Sequence, residues 1–190
     1  NNDNVALILG DNFFYGQNLT NKLRKQAQLS KGASVFLHPV NKYELYGVAK
    51  IDKKNKIIGI KEKPKKFYSN YAVTGLYYFD KKVIEYTKKL KPSKRKELEI
   101  VDLLNIYKKK NRLKADFIGR GGVWLDTGTL DDFYKTSAFV EVIENRQGLK
   151  IACIEEIAFR NRWINSKNIK NAIKFYGNCK YSEYLKKLIS

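Results

Sequence analysis

A short apolar run that ends on a carboxylate constrains this chain most. Residues 5–9 read VALIL, and Gly10-Asp11-Asn12 follow at once. Five consecutive apolar residues closed by a glycine suit a buried strand of a parallel sheet. Such a strand delivers the next residues to the carboxyl edge of the sheet, where open α/β sheets bind ligands. The pattern recurs: residues 33–40, 48–51, 57–60, 72–79 (AVTGLYYF), 113–118 and 123–125 also read as strands. Asp52-Lys53-Lys54-Asn55-Lys56 between the third and fourth of these runs predicts a hairpin. Helical spacing marks the intervals. One helix is predicted from a cap at Asn18 to about Leu29, and another from a cap at Asp80 to about Leu90, stopped by Pro92. A third covers 99–110, with Ile100, Leu103, Leu104 and Tyr107 on one face, and a fourth covers 131–145. Two shorter helical patterns follow Gly148, at 166–175 and 182–188. Strands interleaved with helices predict an α/β chain with a mostly parallel mixed sheet. The predicted division is 1–137 for the sheet domain and 138–190 for a helical C-terminal region.

Composition removes several function classes. The formal net charge is +19, with 38 Lys and Arg against 19 Asp and Glu. The excess is spread out: residues 151–190 hold eight bases and three acids, and 1–150 hold thirty and sixteen. Only seven of the bases are Arg, the residue that phosphate and base-edge recognition favours. A Lys-covered, solvated surface is therefore expected ahead of a nucleic-acid face. No apolar run reaches the roughly 18–20 residues of a membrane span, and no leader pattern opens the chain. Cys153 and Cys179 form no CxxC pair, and His38 is the single histidine. That argues against cysteine zinc sites, His-clustered metals and any mechanism with two imidazoles. The chain has no methionine, even at position 1, and reads as a piece of a longer protein.

Several motifs could carry chemistry, each beside a plainer reading. Asp11 after the first strand could hold a hard cation, or Asp11-Asn12 could be an ordinary turn. Trp124-Leu125-Asp126-Thr127-Gly128-Thr129 sends a second carboxylate off an apolar run, although Thr129 could be no more than a helix cap. Two such carboxylates could share one Mg²⁺, which takes oxygen ligands and substrate phosphates. In Lys61-Glu62-Lys63-Pro64 the Glu could accept sugar hydroxyls and the Lys could hold a phosphate, or the run could be solvated charge. Tyr46-Gly47-Val48 offers a glycine against which a ligand could lie. Lys94-Arg95-Lys96 is a basic cluster ahead of a helix.

In order, LGDNFFYG, YELYGV, KEKP, SNYAVTGLYYFD, ELEIVDLLNIY, WLDTGT, ENRQGLK and EEIAFR resemble the glucose-1-phosphate thymidylyltransferases, a branch of the sugar nucleotidyltransferases. The resemblance covers essentially the whole chain. It implies a Rossmann-like nucleotidyltransferase fold with a helical C-terminal appendage. It also implies that the family's opening strand and Gly-rich nucleotide loop precede Asn1. The VALIL strand is then expected to show an unpaired apolar edge, and these 190 residues alone are expected not to catalyse the transfer.

The implied reaction joins dTTP and glucose 1-phosphate to give dTDP-glucose and pyrophosphate, the first step towards dTDP-rhamnose-type sugars. The implied cofactor is Mg²⁺, on Asp11 and Asp126. The resemblance places Asn12, Tyr46, Gly47, Glu62 and Val73 on the sugar, and Lys63 and Arg95 on the phosphate. Lys96 stands where the family carries glycine. Arg120, Arg146, Glu156 and Ile157 are the implied regulatory-site residues. A cytoplasmic homotetramer without nucleic-acid or membrane partners is also implied. Three alternatives stay open at this point: a related uridylyl- or cytidylyltransferase, a non-catalytic sugar-nucleotide binding fragment, and a basic nucleic-acid-binding domain.

Overall fold

The computed structural model describes residues 3–93 and 96–190. In chain order its elements are β1 (Val5–Ile8), β2 (Asn12–Tyr15), α1 (Leu19–Ala27), β3 (Ala33–Pro39), a 3₁₀ turn (Tyr43–Leu45), β4 (Gly47–Ile51), β5 (Ile57–Glu62), β6 (Tyr71–Phe79), α2 (Val83–Thr87), α3 (Ile100–Lys109), β7 (Leu113–Phe117), β8 (Val123–Asp126), α4 (Leu130–Gln147), α5 (Ile154–Arg160), α6 (Ser166–Tyr176) and α7 (Lys180–Lys187). They fall into two compact units, Asn1–Thr129 and Leu130–Ser190.

The first unit is built on β6. Along one edge β6 pairs with β3, and along the other with β4 at its start and β1 at its end. Strands β5 and β7 complete the order β5-β4-β6-β3-β7. The chain is α/β, as expected, but the sheet is mostly antiparallel rather than mostly parallel: only β3–β7 runs parallel. The physical reason lies in what an apolar run encodes. AVTGLYYF is continuously apolar because both faces of β6 are covered, and coverage says nothing about strand direction. Val73, Tyr77 and Phe79 face a core closed by α2 and α3, with Leu104 and Tyr107 at its centre. Ala72, Leu76 and Tyr78 face the opposite core, with Phe36, Ile118 and Trp124.

The VALIL strand is a second correction to the residue-level reading. It pairs antiparallel with β6, and all four of its residues are exposed, Ile8 by 58%. No strand pairs with its other edge among the described residues, in keeping with the open apolar edge that the resemblance implied.

The hairpin is where it was expected. Asp52 accepts hydrogen bonds from the backbone N–H of Lys54 and Lys56 at 2.8 and 2.9 Å, and Asn55 takes a left-handed φ of 59°. These two devices close tight turns. The predicted helix caps differ. Asn18 flanks α1 but sits at φ 63° and caps with no side-chain bond. Asp80 serves three donors instead. It accepts from Gly32 N–H at 2.6 Å, Lys82 N–H at 3.1 Å and the Tyr107 hydroxyl at 2.9 Å while almost fully buried.

In the second unit Cys153, Ile169, Tyr184 and Leu185 form the core. Asn165 opens α6 with a reciprocal capping box to Asn168. The helix α5, over EEIAFR, was not foreseen as a separate element.

Candidate active site

Strand β2 pairs antiparallel with β8, and the register sets Asn12 opposite Asp126. Thr127 extends the contact, since both its N–H and its hydroxyl donate to the Asp11 carbonyl, at 2.7 and 2.8 Å. The ribbon therefore brings the two carboxylates of the sequence reading to one end of the sheet. Both point at Gly128. A Cβ on Gly128 would stand 3.1 Å from Asp126 Oδ1 and 3.7 Å from Asp11 Oδ2. With hydrogen in its place, the space between the carboxylates stays open.

A cavity of about 180 Å³ adjoins this pair. Asn12, Tyr46, Gly47, Glu62, Lys63, Val73 and Asp126 all line it, so seven predicted residues meet in one place. Local structure explains how. Gly47 opens β4 and Glu62 closes β5, and they are cross-strand partners. The Glu62 carboxylate lies across Gly47, with Oε2 2.9 Å from where a Cβ would stand. Any side chain at position 47 would evict it. Lys63 follows directly in a left-handed conformation, φ 38°, with its N–H donating to the Tyr46 carbonyl at 3.1 Å. A non-glycine residue held there is strained, and such strain concentrates at functional sites.

Sequence reasoning missed part of the lining, namely Leu9, Leu45, Gly75, Tyr77, Ile100, Val101 and Trp124. Tyr77 is buried, and the neighbouring Glu62 charge adds to desolvation in holding its phenol protonated well above the usual range. Trp124 packs edge-on against Tyr46, with ring centroids 5.1 Å apart.

Arg95 lies outside the described residues. Its neighbour Lys96 takes φ 61°, a conformation that costs a non-glycine residue roughly 1–2 kcal/mol. This explains physically why glycine suits the position. Lys96→Gly is expected to stabilise the fold by about 0.5–1 kcal/mol, net of glycine's larger unfolded-state entropy. An unchanged or lowered urea midpoint would contradict that.

The implied regulatory residues are dispersed over both units. Arg120 is exposed in the turn between β7 and β8, and Arg146 is in the last turn of α4. Glu156 on α5 accepts from Arg160 Nε at 2.6 Å and from the Tyr184 hydroxyl. Ile157 is 46% exposed.

A sequence profile of the nucleotidyl transferase family matches residues 1–142, and the chain belongs to that family. It is 42% identical over 188 residues to the glucose-1-phosphate thymidylyltransferase of Neisseria meningitidis, covering 99% of this chain and 65% of the relative. The chain thus spans just under two thirds of that relative's length. Among solved structures it resembles a Bacillus anthracis protein assigned as a glucose-1-phosphate thymidylyltransferase, in complex with a sucrose. That likeness has TM-score 0.63 and 43% identity, over 73% of this chain and 55% of the other. A UDP-glucose pyrophosphorylase complexed with UDP-glucose matches at TM-score 0.61 and 25% identity, over 72% of this chain and 56% of the other. Among the described residues no helix is long and apolar enough to cross a membrane.

Proposed function

We propose that the protein containing this chain transfers a thymidylyl group from dTTP to glucose 1-phosphate, giving dTDP-glucose and pyrophosphate. The observation that carries the reading is the single cavity shared by Gly47, Glu62, Lys63, Val73 and Asp126. In this reading a phosphate oxygen of the sugar attacks the α-phosphorus in line as the bond to pyrophosphate breaks, and no protein nucleophile is required. The protein's task is to align two anions and offset their repulsion. Glu62 accepts the sugar's hydroxyls, the backbone at Gly47 and Val73 lies along the ring, and Lys63 holds the attacking phosphate. The 42–43% identity to thymidylyl relatives, against 25% to the uridylyl one, favours dTTP over UTP.

Asp11 and Asp126 fit a divalent cation such as Mg²⁺. They converge on a glycine cradle. Two carboxylates with water and substrate phosphates are the oxygen donors that such an ion takes. When bound there, Mg²⁺ would supply charge neutralisation for the phosphates.

The reading extends to a cytoplasmic homotetramer acting at the first step towards dTDP-rhamnose-type sugars. Its support is the relatives' named activity; Trp163 and Phe175 of the second unit, 74% and 85% exposed, are apolar side chains that contact with a second copy would cover.

In the whole protein, Lys63→Ala should lower kcat/KM for glucose 1-phosphate about ten- to hundredfold, the worth of roughly 1.5–3 kcal/mol for one charge-assisted contact. Asp126→Asn should raise the Mg²⁺ concentration needed for half-maximal rate. Pyrophosphate release with dTTP and with UTP reads both. Unchanged sugar-phosphate kinetics in Lys63→Ala would refute the phosphate assignment.

A further inference from the structure

The Asn12 side chain stands at the crossing of β2, β8 and β6, and every atom of its amide head is committed. Oδ1 accepts from the Gly75 backbone N–H at 3.0 Å and from Trp124 Nε1–H at 2.6 Å. Nδ2 donates to Asp11 Oδ1 at 2.8 Å. A carboxamide oxygen has two lone pairs, and both are used here. The amide orientation follows from this. Rotating the head by a half-turn would set its NH₂ against two groups that can only donate, so the oxygen must face Gly75 and Trp124 and the nitrogen must face Asp11. Gly75 is a glycine for the same reason: a Cβ there would lie 2.6 to 2.9 Å from all three head atoms of Asn12.

We infer that Asn12 is a positioning residue for the Asp11 carboxylate, fixed in that role by the indole of Trp124. The inference rests on the divalent-cation reading of Asp11 and Asp126. The tether on Oδ1 stops the Asp11 carboxylate from spinning. It leaves Oδ2 as the oxygen turned toward Gly128. Asp126 is held differently: its Oδ1, the oxygen that faces Gly128, itself accepts from Gly128 N–H at 2.9 Å. Each carboxylate thus has one oxygen tied to a fixed donor. Two freely rotating carboxylates would lose orientational entropy on gathering a cation, whereas a pre-oriented pair has already lost it in folding. Trp124 acts one step further out. Its N–H, supplied from β8, polarises the Asn12 amide and makes Nδ2 a stronger donor to Asp11.

The test is direct Mn²⁺ binding to the intact protein without substrates, followed by the EPR signal of free Mn²⁺. Four proteins are compared first: wild type, Asp126→Asn, Asn12→Leu and Trp124→Phe, with circular dichroism as the check of folding. Asn12→Leu should weaken Mn²⁺ binding about tenfold, the lower end of the range seen when groups that orient metal ligands are removed, and Trp124→Phe, one step further out, should weaken it by a smaller factor. Both changes are then repeated in an Asp11→Asn background. There neither should cause any further loss, because the group they act through is gone. Equal losses in both backgrounds would show a merely structural role and overturn the inference. So would wild-type Mn²⁺ affinity in a folded Asn12→Leu protein. If Asn12→Leu does not fold, Trp124→Phe decides alone, since it keeps the ring and removes only the N–H donor. Should Asp126→Asn bind Mn²⁺ as tightly as wild type, the cation reading and the inference fall together. Loss in Asp126→Asn without loss in Asn12→Leu or Trp124→Phe overturns the inference only.

Discussion

Gly75→Ala is expected to cost about 2–4 kcal/mol of stability and to remove most sugar-phosphate turnover from the whole protein. The added methyl would meet the Asn12 carboxamide at 2.6 to 2.9 Å. That head is not a loose end that can step aside, because hydrogen bonds to Gly75, Trp124 and Asp11 hold it on three sides. Either the methyl is accommodated by backbone strain, typically about 1–3 kcal/mol, or Asn12 swings out and leaves buried donors unpaired at roughly 1–3 kcal/mol each. In the second case the methyl and the displaced amide both intrude on the cavity. Thermal melting and glucose 1-phosphate kinetics read the two effects separately. A Gly75→Ala protein with wild-type melting temperature and wild-type KM would show that the close approach of β6 to β2 is not required.

Asp80→Ala should be the more destabilising of the two, at about 3–5 kcal/mol. The buried carboxylate gathers Gly32 N–H, Lys82 N–H and the Tyr107 hydroxyl, and so ties the start of β3, the entry to α2 and the face of α3 together. Removing it orphans two buried donors. One of them, Gly32, is at φ 93° with the Arg112 carbonyl oxygen 2.3 Å from where a Cβ would stand, so the backbone there is tightly packed. The Tyr107 phenol is held protonated above its usual range, by burial first and by the Asp80 hydrogen bond second. At roughly 2–4 °C per kcal/mol for a chain of this size, melting should fall by about 10 °C. Asp80→Asn keeps the shape and an acceptor and should lose about half as much. A melting point within 2–3 °C of wild type in Asp80→Ala would contradict the role assigned to this carboxylate.

The legible part of the fold was the part written in local pattern. The hairpin around Asp52 and Asn55 and the amphipathic face of Ile100, Leu104 and Tyr107 need only neighbours within a few residues. Strand direction was not legible: AVTGLYYF records that two faces are covered, and both parallel and antiparallel sheets meet that condition. The caps at Asn18 and Asp80 misled for a related reason. A short polar side chain before a helix can serve the helix or a distant donor, and Asp80 serves Gly32, 48 residues away. In the candidate site, Glu62, Lys63 and Asp126 stood out in the sequence as charged residues beside strand ends, and the structure sets them around one cavity. Gly75 and Trp124 were not, because their signal is a contact with Asn12 across 63 and 112 positions. Inside an apolar run, a glycine that makes room and a tryptophan that donates look like ordinary core residues.

The pairing of β2 with β8 also sets a timetable. Thr127 and Asp11 are 116 residues apart, so the ribbon that joins the two carboxylates closes one of the longest loops in the chain. At ribosomal rates of roughly 5–20 residues per second, about 6–23 s separate the emergence of its two sides. During that interval Phe13 and Phe14, apolar residues of β2, have no β8 to pair with, while β4, β5 and β6 and the β6-facing edge of β3 have their partners within residues 5–79; β7, the parallel partner of β3, follows only shortly before β8. The pairings of β6 with β1, β3 and β4 and of β4 with β5 can therefore form on the nascent chain well before the carboxylates meet. A nascent chain that has not yet released β8 has its two carboxylates still unpaired in space, with the apolar face of β2 waiting for its partner strand.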